Sequence, residues 1–145
     1  MLLSYLTGLR QGDVLGLQQQ HLTEKGISVR TGKTGKKMLF KWTPALRAVV
    51  DQARALRGDV ISMHLICRRD GQRYTGSGFR AMWNRVMRNY VDAGGQHFTF
   101  HDIRAKSGSD TDDDKLLGHQ NPRTLHRVYK RKPTEVTPLS KPLKR

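Results

Sequence analysis

Apolar residues at helical spacing, bounded by helix-capping residues, constrain the fold of this chain more than any other feature of its sequence. Between Thr43 and Gly58 the apolar positions follow the helical period, and Pro44 occupies the first-turn position that proline favours. A second segment with the same period runs from Phe79 to Tyr90 and stops before a pair of glycines. These segments predict two amphipathic helices that each bury one apolar face.

Shorter signals predict helices at both ends of this region. The sequence LLSYLTGLRQGDVLGL indicates a helix end, a turn around Gly8 and a short second helix. Thr99, followed three residues later by Asp102, has the pattern of a capping box at the start of another helix.

Short β-prone runs lie between the helices. GISVR (residues 26–30) and MLFKW (38–42) are separated by the polar, glycine-containing sequence TGKTGKK, which predicts a hairpin. VISMHLIC (60–67) is predicted as a third strand, and its Cys67 as a buried small hydrophobic residue, since the chain has one cysteine. The predicted fold class is therefore α+β, mainly helical with a small antiparallel β-sheet, and 145 residues fit one such domain.

The charge of the chain predicts a polyanionic partner. The formal net charge is +15, and nucleic acid is the polyanion that basic domains most often bind. No apolar run reaches the length of about 18 residues that a membrane span needs, and the N-terminus has no signal-peptide pattern, so we expect a cytoplasmic protein. An RNA-binding or ribosomal protein and a generally basic surface remain alternatives that explain the charge alone.

The N-terminal half contains three candidate site residues. Arg10 lies at a turn from which its guanidinium can reach inward, and Asp13 three residues later is placed to orient it. Lys33 lies in the predicted hairpin turn. Each has an ordinary structural explanation when taken singly, such as a solvated arginine or a lysine that aids solubility.

The C-terminal half contains four more candidates. His101 and Arg104 are three residues apart, so they share one helix face and can contact the same anion. His119 follows the glycine that ends a short predicted helix. Asn121–Pro122 is a strong helix start and places Tyr129 about two turns into the last helix, where a core tyrosine is the ordinary explanation.

Together these residue types fit the breaking of a DNA phosphodiester. Arginine binds phosphate bidentately and stays charged through the reaction. Histidine and lysine transfer protons, and tyrosine can serve as a covalent nucleophile. This chemistry requires no metal or cofactor, and the acidic run DTDDD lacks the pattern of a metal-binding loop.

The order of these motifs resembles the catalytic domain of the tyrosine recombinases, the phage integrase family. TGLRQGDVLGL is similar to the first arginine motif, GKTGKK to the lysine hairpin, HDIR to the His-x-x-Arg box and LLGH to the motif after it. The resemblance implies the fold of that catalytic domain and these catalytic residues: Arg10, Lys33, His101, Arg104, His119 and Tyr129. It also implies residues 1–132 as a catalytic domain that is truncated at its N-terminus relative to the family, with 133–145 as a C-terminal tail.

The activity implied by the resemblance is site-specific DNA recombination. A member of the family cuts and rejoins DNA through a 3′-phosphotyrosine, in the integration or excision of phage or other mobile DNA. The implied partners are double-stranded DNA, further copies of the chain in a tetramer on DNA, and DNA-bending accessory proteins. Because the first segment starts inside a helix-like run without an N-cap, we expect the chain to be part of a longer prophage integrase. A catalytically inactive DNA-binding remnant of such an integrase is the alternative.

Overall fold

The computed structural model describes residues 1–113 and 115–118. Within them lie five α-helices and one small sheet. The helices are α1 (Leu2–Thr7), α2 (Gln11–Leu15), α3 (Pro44–Arg57), α4 (Gly76–Asp92) and α5 (Phe100–Asp110). The sheet has the strands β1 (Leu22–Thr23), β2 (Gly26–Arg30) and β3 (Lys37–Lys41), in the spatial order β1-β2-β3. The predicted fold class is confirmed.

The helix starts predicted at Thr43 and Thr99 are confirmed in detail, whereas the start predicted at Asn121–Pro122 and the helix after it lie outside the described residues. The Thr43 hydroxyl accepts a hydrogen bond from the Leu46 N–H at 3.1 Å, and α3 ends at Gly58. At the start of α5, Thr99 and Asp102 form both bonds of a capping box. These caps satisfy N–H groups that a helix leaves without an intrahelical partner.

The predicted hairpin is confirmed, whereas the third predicted strand is wrong. β2 pairs antiparallel with β3, with Arg30 opposite Lys37. Residues 60–67 form only an isolated bridge between His64 and Gln18, because this segment runs beside the loop after α2 and not beside a strand. The strand that does pair with the other edge of β2 is β1.

Two apolar clusters hold these elements together. The first lies between the sheet, α1 and α3 and includes Leu17 and Ile27, both fully buried, and Val50. The second joins α4 to α5 through aromatic rings, with the Phe79 and Phe100 centroids 5.3 Å apart at 88°. Such edge-to-face pairs add to the stability gained by apolar burial.

Small polar residues bring α1 close to α5. Ser4 and Thr7 on α1 and Ser107 on α5 are all buried. At the edge of this contact the Tyr5 hydroxyl donates to Asp110 at 2.8 Å, and this hydrogen bond raises the pKa of Tyr5 above its ordinary value. The close contact fixes the turn after α1 relative to α5. In the described part of the chain, no helix has the length and apolar character needed to cross a membrane.

Candidate active site

Arg10 lies in the turn between α1 and α2, and a glycine determines the path of that turn. Gly8 ends α1 in the left-handed conformation, with φ of 60°. A Cβ atom added there would lie 2.5 Å from Cδ2 of Leu117, so both the conformation and the space favour glycine. Arg10 follows in an extended conformation as the residue before α2 and is half-buried.

The first turn of α5 carries the predicted His-x-x-Arg pair. His101 is exposed, whereas Arg104 is 3% exposed. Arg104 Nη2 donates a hydrogen bond of 2.7 Å to the Leu117 carbonyl. The Arg104 guanidinium therefore holds the backbone at Leu117, two residues before His119. Arg104 also lines a cleft beside Arg10.

Two clefts meet at Arg10. The smaller, of about 230 Å³, is lined by Arg10, His101 and Arg104 together with residues of the α1–α2 turn. The larger, of about 450 Å³, is lined by Arg10, Lys33 and Arg73 among others. The structure thus brings four of the predicted site residues to adjoining clefts, with Arg10 common to both.

Asp13 fixes the hairpin that carries Lys33. Its Oδ1 accepts a hydrogen bond of 2.8 Å from the Gly32 N–H, the residue before Lys33. Among the described residues there is no ion pair between Asp13 and Arg10, so Asp13 orients the hairpin and not the arginine. This one contact sets the position of the β2–β3 turn relative to the start of α2.

Sequence reasoning missed three polar residues of the larger cleft: His21, Arg30 and Arg73. Arg73, in the loop before α4, donates a hydrogen bond of 2.8 Å from Nη2 to the Gly12 carbonyl. His21 accepts a hydrogen bond of 3.0 Å from the Gln18 N–H at Nδ1. Only the fold brings Arg73 next to Gly12, 61 residues away in the chain, so no local pattern could have identified it.

The remaining predicted site residues, His119 and Tyr129, lie outside the described residues. Within the described ranges, no group of three or more His, Cys, Asp or Glu side chains is placed to hold a metal ion. The described residues instead bring several cationic side chains together. The larger cleft is lined by four cationic side chains and one carboxylate: Arg10, Arg30, Lys33, Arg73 and Asp13. Such a surface can bind phosphate through charge-assisted hydrogen bonds.

Comparison with protein families gives one match that covers most of the chain. The model described as "Phage integrase family" matches residues 1–135. A comparison with curated protein sequences finds no significant match.

Solved structures with the same fold include several recombinases. A lambda integrase dimer bound to a COC′ core site superposes with a TM-score of 0.71 and 21% identity, covering 96% of this chain and 54% of that one. For XerA recombinase the TM-score is 0.68 and the identity 20%, covering 90% and 52%. The Tn1549 transposon integrase in complex with circular intermediate DNA gives 0.66 and 15%, covering 94% and 52%. The chain therefore spans about half the length of these proteins and shares their fold.

Proposed function

Because this chain belongs to the phage integrase family, we propose that it cuts and rejoins double-stranded DNA through a covalent 3′-phosphotyrosine. The reaction serves the integration or excision of phage or other mobile DNA. We assign residues 1–132 to the catalytic domain and 133–145 to a C-terminal tail.

The observation that carries this proposal is the position of Arg10 between the two clefts. A phosphate at Arg10 lies within reach of the cleft that holds His101 and Arg104 and of the cleft that holds Lys33. Residues from three separate parts of the chain thus line adjoining clefts, which supports the proposal that the scissile phosphate binds at Arg10. Phosphoryl transfer depends mainly on such positioning and on charge stabilisation.

The proposed reaction consists of two transesterifications. The Tyr129 hydroxyl loses its proton to solvent as its oxygen attacks phosphorus, a bond forms between oxygen and phosphorus, and the bond from phosphorus to the 5′ oxygen breaks. Lys33 supplies a proton to that leaving oxygen, while the two arginines, Arg10 and Arg104, neutralise the phosphate. The 5′ hydroxyl of a second strand then attacks the phosphotyrosine, which restores the DNA backbone and frees the tyrosine. His101 and His119 complete the hydrogen bonding of the phosphate in this scheme.

The proposed partners are DNA and further copies of this chain. The lambda integrase structures include a dimer on a COC′ core site and a tetramer on a Holliday junction. We propose the same kind of assembly here, with self-association on DNA up to a tetramer and with DNA-bending accessory proteins as further partners. The net charge of +15 favours binding to the DNA backbone.

A nicked suicide substrate tests the proposal. The nick lies a few nucleotides downstream of the cleavage site, so the short fragment that carries the new 5′ hydroxyl diffuses away after cleavage. The covalent protein–DNA species therefore accumulates and is visible on a denaturing gel. A DNA strand-transfer enzyme yields this species, whereas the alternative, a non-catalytic DNA-binding protein, yields only a complex that denaturation dissociates. The proposal would be refuted if the protein retained suicide substrates of several different sequences in native gels but formed a covalent species with none of them.

A further inference from the structure

Arg73 has a position that strand-transfer chemistry at Arg10 does not explain. It is an exposed residue in the loop between α3 and α4, yet its guanidinium is fixed at one end by the hydrogen bond from Nη2 to the Gly12 carbonyl. Gly16 lies against the same group, since a Cβ added there would lie 3.3 Å from Arg73 Nη2. A guanidinium has five N–H donors in a rigid plane, so one bond to Gly12 orients the whole group within the larger cleft.

The charge of the larger cleft exceeds what one phosphate can neutralise. Four cationic side chains line it, and Asp13 is its only carboxylate among the described residues. A phosphodiester carries one negative charge, and in the proposed reaction Arg10 and Lys33 are the residues of this cleft that act on the scissile phosphate. Arg30 and Arg73 are left for other anions, and the phosphates that flank the scissile one along a DNA strand are those available.

We infer that Arg73 binds a second DNA phosphate, adjacent to the one held at Arg10, and that the Gly12 carbonyl holds its guanidinium in the orientation for this contact. The inference rests on the proposed function, since it takes DNA as the ligand of the cleft. Arg73 is in this account a DNA-binding residue outside the group that acts on the scissile phosphate. It links the loop before α4 to the DNA backbone.

The salt dependence of DNA binding tests this role, because it counts neutralised phosphates and does not respond to a purely structural contact. The experiment measures the affinity of the full chain for a short duplex from about 50 to 200 mM salt. We expect Arg73→Met to reduce the slope of log affinity against log salt by about 0.9, the loss of one phosphate contact. The ratio of the wild-type affinity for DNA to that of this variant then falls about three- to fourfold between about 50 and 200 mM salt.

Two further variants separate charge from structure. Arg73→Lys keeps the charge and restores the slope, although it lacks the planar fork that bonds Gly12 and phosphate together. Arg69→Met removes an equal charge from the same loop, and because Arg69 lines neither cleft its slope stays that of the wild type.

Three results would overturn the inference: an unchanged slope for Arg73→Met, a lysine variant that fails to restore the slope, or an equal loss for Arg69→Met. Absence of wild-type binding to DNA would overturn it as well. Failure of the strand-transfer proposal gives a different result. The wild type then forms no covalent adduct on the suicide substrate, whereas the slope of affinity against salt still decreases in Arg73→Met.

Discussion

Replacement of Asp13 by alanine separates the position of Lys33 from the stability of the fold. The substitution removes the acceptor of the Gly32 N–H, the 2.8 Å bond that fixes the β2–β3 turn at the start of α2. A hydrogen bond to a charged group contributes about 1.5 to 3 kcal/mol when it is shielded from solvent. Gly32 is exposed, and water can replace part of this bond, so we expect a loss of about 1 kcal/mol in the free energy of unfolding. For a chain of this length that corresponds to a melting temperature about 3 to 5 °C lower.

The expected loss of activity is much larger than the loss of stability. Misplacement of a reacting group by about 1 Å can reduce a rate about 100-fold, so we expect covalent adduct formation to slow about 10- to 100-fold. Urea titration measures the first quantity, and the rate of adduct formation on the suicide substrate measures the second. Asp13→Asn keeps an oxygen acceptor toward the Gly32 N–H. Its free energy of unfolding and its rate of adduct formation should therefore lie between those of the alanine variant and the wild type.

Asp51 provides the control for this experiment. It forms a surface ion pair with Arg54 at 3.8 Å on α3 and lines neither of the two clefts at Arg10, so Asp51→Ala should change stability by less than about 0.5 kcal/mol and leave the adduct rate unchanged. An Asp13→Ala protein that loses stability as expected but forms adduct at the wild-type rate would refute the positioning role of Asp13.

Three further predictions follow from single contacts. Gly8→Ala combines a left-handed φ with a Cβ 2.5 Å from the Leu117 side chain, so we expect a loss of more than about 2 kcal/mol in the free energy of unfolding, measured by urea titration. The same change at Gly12, which lies in α2 with open space around it, should not lower the free energy of unfolding, because alanine is the better helix former. Thr99→Ala removes the cap of the helix that carries His101 and Arg104 and should cost about 1 kcal/mol by the same measurement, against no change for Ser109→Ala at the other end of α5. Lys33→Ala should slow cleavage of ordinary DNA far more than cleavage of a 5′-bridging phosphorothiolate, because the leaving group of the phosphorothiolate needs no proton. Lys37→Ala should slow neither reaction, and equal losses of rate for Lys33→Ala on both substrates would contradict the general-acid role of Lys33.

Local signals in the sequence predicted the parts of the fold that local interactions determine. Thr43 and Thr99 are capping residues whose side chains bond backbone groups three residues away, so their effect is visible in the sequence. The shared face of His101 and Arg104 follows in the same way from the helical period, and both line the same cleft.

Features that depend on distant parts of the chain were not predictable in this way. The run VISMHLIC has the composition of a strand, but no free strand edge lies beside it, and Ile61 is 97% exposed. The hydrogen bonds that Gly32 donates to Asp13 and that Arg73 donates to Gly12 join residues 19 and 61 positions apart, which only the packed fold brings together. The family resemblance located Lys33 without this information, whereas nothing in the sequence pointed to Arg73. The catalytic roles of all six residues that the resemblance named stay predictions, and His119 and Tyr129 also lie outside the described residues.

The identity of the nucleophile is the most direct test of the account. Tyr129→Phe removes one oxygen and keeps nearly all the side-chain volume, so a tyrosine that only packs tolerates it with a small loss of stability. Tyr74→Phe is the matched control, because Tyr74 is half-buried against Phe79 with ring centroids 6.3 Å apart. On the suicide substrate we expect Tyr74→Phe to form the covalent adduct at the wild-type level. We expect Tyr129→Phe to bind DNA and melt like the wild type, yet to form no adduct. A Tyr129→Phe protein that still becomes covalently joined to DNA would contradict the central claim.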